Sequence, residues 1–391
     1  MINFRSLKNT FLFVFLASLA GLKLCFGQVL PGAQNLPQYI PLLKDHSVGL
    51  VAHAASEVYD SKKATHLVDT LRSHNINIKA IFAPEHGFRS SEDNGAIIKD
   101  EVDSKTQIPI ISLHGKNRKP NQEQLKDISM MVFDLQDVGV RFYTYLSTLH
   151  LVMEACAENN IPLLILDRPN PNGHYVDGPI MEEEYKSFLG MHSVPIVHGL
   201  TLGEFAQMIN GEGWLNNNKS CNLKIIKIEN YHHQTRYELP VRPSPNLPNT
   251  KSINLYPSLC LFEQTPVSIG RGTEMQFQII GHPSYPGEFT FTPHPNFGQR
   301  NPKHKGLKCY GIDLREHSFI DKIELKWLID FYQKHADQTT FFSPYFVKLS
   351  GTKSLENQIK MGWSESQIRE SWEPQLTEYK LLRKKYLLYE D

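Results

Sequence analysis

The chain has 391 residues, with 41 basic and 41 acidic side chains that cancel to a formal charge of zero. Hydrophobic residues make up 40% and charged residues 21%, which excludes an intrinsically disordered chain. The absence of a surplus of Lys and Arg argues against nucleic acid as a partner, since phosphates would have to be neutralised. The length suits two domains.

Residues 1–27 read as a secretory leader. Arg5 and Lys8 precede an apolar run at 11–22, which has the length of a signal core and is short for a bilayer span. The chain is therefore expected to be exported to the periplasm or the extracellular space. Lipid attachment through Cys25 is less favoured, because Lys23 and Leu24 stand where small uncharged residues are needed. No later apolar run is long enough to cross a membrane, so no span is expected in the mature chain. Cys156, Cys221, Cys260 and Cys309 are widely spaced and lack any CxxC pattern, which predicts buried free thiols and no structural zinc.

From residue 46 to about 230, short apolar runs alternate with helical segments. The runs lie at 48–52, 78–82, 108–113, 130–134 and 163–167, with helices predicted at 65–73 and 148–159. A further unit follows, a helix at 202–209 and a strand at 223–228. Strands this apolar are buried on both faces, and the β-α alternation predicts an α/β fold, an open, mostly parallel sheet domain over residues 28–238. After Pro240 the texture changes. A proline-rich loop leads to strand-like segments at 267–269 and 277–280, then to helices at 323–334, 355–360 and 373–388. Leu376, Tyr379, Leu382 and Tyr386 recur at helical spacing in the last of these. Residues 239–391 are read as a second, α+β domain.

Ligands of doubly wound sheets bind beyond the carboxyl ends of the strands. Three strands here end in polar clusters: APEHGFR at 83–89, DLQDVGVR at 134–141 and DRPNPNG at 167–173. Dinucleotide, P-loop, serine-elbow and zincin motifs are all missing, so no cofactor or metal is expected. Carboxylates, amides and arginines remain, which is the equipment for glycosidic cleavage. One carboxyl protonates the leaving oxygen, and a second group stabilises the sugar cation or activates water. Each residue also has a structural reading. Glu85 suits a turn cap, Asp134 and Asp137 suit turn caps or partners of Arg141, and Asp167 with Arg168 suits an ion pair. His232 and His233 are expected at the surface.

At these residues the sequence resembles the NamZ-type exo-β-N-acetylmuramidases. The stretches that carry the resemblance are FAPEHGFR (82–89), DLQDVGVRFYTY (134–145), LDRPNPNG (166–173), GEGW (211–214), PSPNLP (243–248), YPSLCLFE (256–263) and GRGT (270–273). It extends from about residue 46 to the C-terminus. It implies an active site between a Rossmann-like domain and a smaller C-terminal one, and release of N-acetylmuramic acid from the non-reducing ends of peptidoglycan fragments. The family's proposed catalytic glutamate falls on Glu85. One departure is visible: the family often has an Asn-Gln-Thr-Gly type loop after the first strand, where this chain has His53-Ala54-Ala55-Ser56.

The expectation is then that Glu85 is the general acid/base, with a pKa raised toward neutrality, and that Asp134 or Asp137 is the second carboxylate. Arg168 and Arg271 are candidates for the lactyl carboxylate of muramic acid, which a guanidinium matches with two parallel bonds. His86, Gln136, Arg141, Asn170 and Asn172 are candidates to orient the sugar. The competing reading is an exported muropeptide-binding protein without catalysis.

Overall fold

A computed structural model describes residues 27–59, 63–89 and 101–391. All of the expected leader except Gly27, Cys25 included, lies outside the described residues. Among the described residues, the first half holds nine strands: β1 (Ser47–Ala52), β2 (Glu57–Tyr59), β3 (Ala64–His66), β4 (Asn77–Ala83), β5 (Glu101–Val102), β6 (Pro109–Ser112), β7 (Met130–Asp134), β8 (Leu163–Leu166) and β9 (Leu223–Ile226). Seven of them make one sheet in the order β5-β6-β4-β1-β7-β8-β9, parallel except for β5. Apart from that edge strand, this is the dinucleotide-fold order, with its switch point between β1 and β7.

The alternation of side chains explains why these runs are strands. Met131, Phe133, Leu163 and Ile165 enter one hydrophobic cluster, while Val132, Leu164 and Leu166 enter another on the opposite face. Burying each such side chain contributes about 1.5–3 kcal/mol. The helix predicted at 65–73 starts later, at Leu67, because residues 64–66 pair with 57–59 as a small hairpin. The His66 Nδ1 then caps the helix by accepting from the Val68 N–H at 3.3 Å.

The second half holds a three-stranded antiparallel sheet, β10 (Ile279–His282), β12 (Cys309–Asp313) and β11 (Phe289–Phe291) in that order, surrounded by helices. Residues 267–269 are no strand and make a single bridge, Ser268 with Gly281. The last helix runs Glu365–Arg383, beginning before its predicted start. Ser364 and Gln367 form a capping box there, and Ile368 and Trp372 extend the buried stripe toward the N-terminus. One hydrophobic cluster spans both halves, from Val51 to Tyr379. Arg141 fastens the halves together. It is fully buried, and its guanidinium donates to the carbonyls of Pro179 (3.0 Å) and Val194 (2.7 Å) on one side and of Leu349 and Ser350 (both 2.8 Å) on the other. Among the described residues, the four cysteines Cys156, Cys221, Cys260 and Cys309 are free and buried. Among the described residues, no helix is long and apolar enough to cross a membrane.

Candidate active site

A cavity of about 300 Å³ opens where the carboxyl ends of β4 and β7 meet the second half of the chain. The β4 end supplies Glu85 and His86. The loop after β7 supplies Phe142, Tyr143, Thr144 and Tyr145, which run into the helix Tyr145–Asn159. The facing wall is built from Asn246, Tyr256, Glu263, Gln264, Arg271 and Phe277.

The sequence of the β4 end dictates its shape. Pro84 to Gly87 form a tight turn, closed by the Gly87 N–H on the Pro84 carbonyl at 3.1 Å. His86 occupies the third position with φ 75° and Gly87 follows with φ 82°. Positive φ is tolerated by glycine and costs a histidine on the order of 1 kcal/mol or more, a strain typical of functional turns. The turn projects half-buried Glu85 into the cavity. There its carboxylate oxygen Oε2 accepts from the Thr144 hydroxyl at 3.0 Å, and its backbone carbonyl accepts from the Tyr145 hydroxyl at 3.1 Å. Burial, followed by the Glu85 charge, pushes the Tyr145 pKa up, so this phenol stays protonated. The Tyr143 hydroxyl crosses to the Pro243 carbonyl at 2.9 Å and pins the proline-rich loop that carries Asn246.

Glu85, His86 and Arg271 are the predicted residues that line the cavity; the others do different work. Asp134 is sealed from solvent and grips Arg168 through both oxygens, at 2.5 Å to Nε and 2.9 Å to Nη2. Each neutralises the other's buried charge, so neither is available as the second catalytic carboxylate or as a lactyl-binding arginine. Asp137 is buried, near enough for its charge to act on Tyr143 and Tyr145, and does not line the cavity. Its Oδ1 accepts from the Gly139 N–H at 2.6 Å, its Oδ2 has no partner, and burial pushes its pKa up to about 7. Gln136 donates to the carbonyls of Asp137 and Pro169 at 2.8 and 2.9 Å. Asn170 donates to Leu200 at 2.9 Å, and Asn172 to Val138 and Ile253 at 2.9 and 3.1 Å. Gly139, at φ 76°, lies so close to Asn170 that a Cβ would stand 2.0 Å from its Oδ1. These amides, together with Arg141, bind backbone and brace loops rather than orient a sugar. Asp167 does not pair with Arg168. It accepts from Thr201 (2.7 Å), the Gly203 N–H (2.9 Å) and Tyr389 (2.7 Å). His233 is buried, 3.0 Å from Glu204, and not at the surface.

The second carboxylate at the cavity wall is Glu263, whose Oε1 accepts from the Arg271 Nε at 2.6 Å. The Arg271 guanidinium also lies over the Phe277 ring, 5.1 Å from its centroid. Asn246 spends its Nδ2 on the Gly298 carbonyl at 2.7 Å, and its Oδ1 has no partner. Thr144, Tyr145, Asn246 and Glu263 were not singled out from sequence, although each falls inside a stretch that carries the family resemblance. Among the described residues, no group of three or more His, Cys, Asp or Glu is arranged to hold a metal ion.

Comparison with known proteins agrees with this geometry. Residues 48–251 match the model of the N-terminal part of the exo-beta-N-acetylmuramidase NamZ, and residues 254–389 match the model of its C-terminal part. The peptidoglycan beta-N-acetylmuramidase NamZ of Bacillus subtilis is 36% identical over 379 residues, covering 90% of this chain and 89% of that protein. Two crystal structures of DUF1343 family proteins from Bacteroides fragilis superimpose on it. One has a TM-score of 0.86 at 44% identity, covering 93% of this chain and 100% of the other. The second has a TM-score of 0.76 at 29% identity, covering 93% and 99%. With both halves matched in order and the EHGF turn placed at the cavity, this chain belongs to the NamZ exo-β-N-acetylmuramidase family.

Proposed function

We propose that the protein is an exo-acting glycoside hydrolase that releases N-acetylmuramic acid from the non-reducing ends of peptidoglycan fragments, with Glu85 as its proton donor. The observation that carries this reading is a carboxyl on a strained turn at the carboxyl end of β4. It projects into a cavity bounded by both halves of a chain that belongs to the family. Glu85 gives its proton to the departing glycosidic oxygen as positive charge grows on the sugar carbon.

Among the described residues, the other candidate carboxylates are held by arginines, Glu263 by Arg271 and Asp134 by Arg168. This favours the route in which the substrate's own acetamide oxygen attacks the sugar carbon and water later opens the ring so formed, with the Glu85 carboxylate taking up the water's proton. The unpartnered Oδ1 of Asn246 suits the acetamide N–H. The Arg271 guanidinium, at the same wall, suits the lactyl carboxylate. This route predicts retention of configuration, read by proton NMR of the first-formed anomer.

Export is part of the same proposal. The charged start and the apolar run at 11–22 suit a cleaved leader, and the substrate lies outside the cytoplasm. The test is incubation with the disaccharide of muramic acid and glucosamine, followed by mass analysis, alongside Glu85→Gln on a chromogenic muramic acid glycoside. The wild type is expected to yield the two monosaccharides, and Glu85→Gln to lose at least about a hundredfold in kcat. A folded Glu85→Gln with wild-type turnover overturns the assignment.

A further inference from the structure

His53, in the loop after β1, stands behind the site without lining the cavity. It follows β1, the strand flanked by β4 and β7, and so sits between the loops that carry Glu85 and Gln136. Its Nε2 lies 3.0 Å from the backbone N–H of Gln136, which can only donate. Nε2 must therefore carry a lone pair, and in a neutral ring the proton resides on Nδ1. Nδ1 lies 3.2 Å from the Tyr145 hydroxyl and donates to it. The phenol's own proton is then directed to the Glu85 carbonyl, 3.1 Å away. The Gln136 N–H only donates and the Glu85 carbonyl only accepts, while the His53 ring and the Tyr145 hydroxyl between them each accept once and donate once, so all the arrows run one way.

The surroundings keep this ring neutral. It is 2% exposed, and protonation would set an N–H against the Gln136 N–H. Burial disfavours an imidazolium first, the nearby Arg168, His66 and His86 disfavour it further, and the contacting Tyr145 phenol is neutral. The backbone of residue 53 is fixed as well. Its N–H donates to the Ser56 hydroxyl at 2.9 Å, and its carbonyl accepts from the His66 Nε2 at 2.9 Å.

We propose that His53 is a positioning residue for the reaction: a single imidazole tautomer orients the Tyr145 hydroxyl, which holds the strained Pro84–Gly87 turn and so sets where the Glu85 carboxyl points. The inference rests on Glu85 being the proton donor. Misplacement of a reacting group by about 1 Å costs as much as a hundredfold in rate. Tyr145→Phe and His53→Phe are therefore each expected to lower kcat on the muramic acid glycoside by about tenfold to a hundredfold, with KM little changed. The double variant should be no slower than Tyr145→Phe alone, because His53 acts through Tyr145. His53→Gln, which can still accept and donate, should recover part of the loss.

Nitrogen-15 NMR of the wild type gives a readout independent of activity, with the ring assigned by its disappearance in His53→Gln. A pyridine-type Nε2 that persists from about pH 5 to about pH 8 is expected. The opposite tautomer, a ring that titrates in that interval, or losses in kcat that add in the double variant would each overturn the proposal. If His53→Phe fails to fold, the wild-type spectrum and the His53→Gln kinetics decide. Wild-type turnover in Glu85→Gln would instead remove the proton-donor assignment while leaving the tautomer as observed, so the two failures are distinct.

Discussion

Replacing Asp137 with Asn separates a buried structural acid from a catalytic one. The carboxyl is 7% exposed, and burial raises its pKa from the ordinary 3.8 to about 7, against the two backbone N–H groups of Gly139 and Val138 that favour its charge. A carboxyl whose folded pKa exceeds its unfolded value stabilises the fold fully below the unfolded value, and that stabilisation is lost as pH rises through the folded one. At about 1.4 kcal/mol per pH unit, the interval between 3.8 and about 7 amounts to roughly 4 kcal/mol. Asparagine has nearly the same shape, keeps an acceptor for the Gly139 N–H, and leaves the same unpartnered donor that the protonated acid leaves. The two proteins should therefore be of similar stability near pH 4. The variant should become the more stable by up to roughly 4 kcal/mol at pH 8, because it has no charge to bury. Urea denaturation at intervals from pH 4 to pH 8 measures this directly. All other titrating groups are common to both proteins, so the difference between the curves isolates residue 137. Parallel curves would refute the reasoning, for they would mean that the carboxyl ionises as easily in the fold as outside it. Turnover of the muramic acid glycoside should change little, since Asp137 does not line the cavity.

Three further outcomes follow from the contacts. Arg271→Met should lower kcat/KM on a muramic acid glycoside by about thirtyfold or more, the worth of a charge-assisted pair. It should leave any residual hydrolysis of the glucosamine analogue, which has no lactyl carboxylate, unchanged; equal losses on both substrates would count against carboxylate recognition. Arg141→Met strips donors from four buried carbonyls and should cost about 3 kcal/mol or more in chemical denaturation, with KM unaffected in the fraction that stays folded. Gly139→Ala meets both a positive φ and the Asn170 side chain and should destabilise by about 2 kcal/mol or more; a melting temperature equal to wild type would show that the loop relaxes freely.

The sequence itself determined the mostly parallel sheet, while the order of its strands belongs to the tertiary structure. Runs such as 130–133 and 163–166 are apolar at every step, as strands covered on both faces are. The strand-end position of the EHGF turn then followed, because proline and glycine interrupt β4 in only one place. Local signals did not reveal which polar groups after the strands would be consumed by one another. Asp134 and Arg168 are 34 residues apart and meet only because β7 and β8 are neighbours in the sheet. Gln136, Asn170 and Asn172 look like ligand-binding amides until the fold brings carbonyls to them. The reverse holds for Thr144 and Tyr145, which lie ahead of the helix predicted at 148–159 and become the partners of Glu85 only in the fold. His53 is the sharpest case. Its tautomer depends on a backbone N–H that lies 83 residues away in sequence. Secondary structure here is a local property of side-chain pattern, and the chain shows it. A buried polar group must find its hydrogen-bond partner wherever packing places one, and that choice belongs to the tertiary structure.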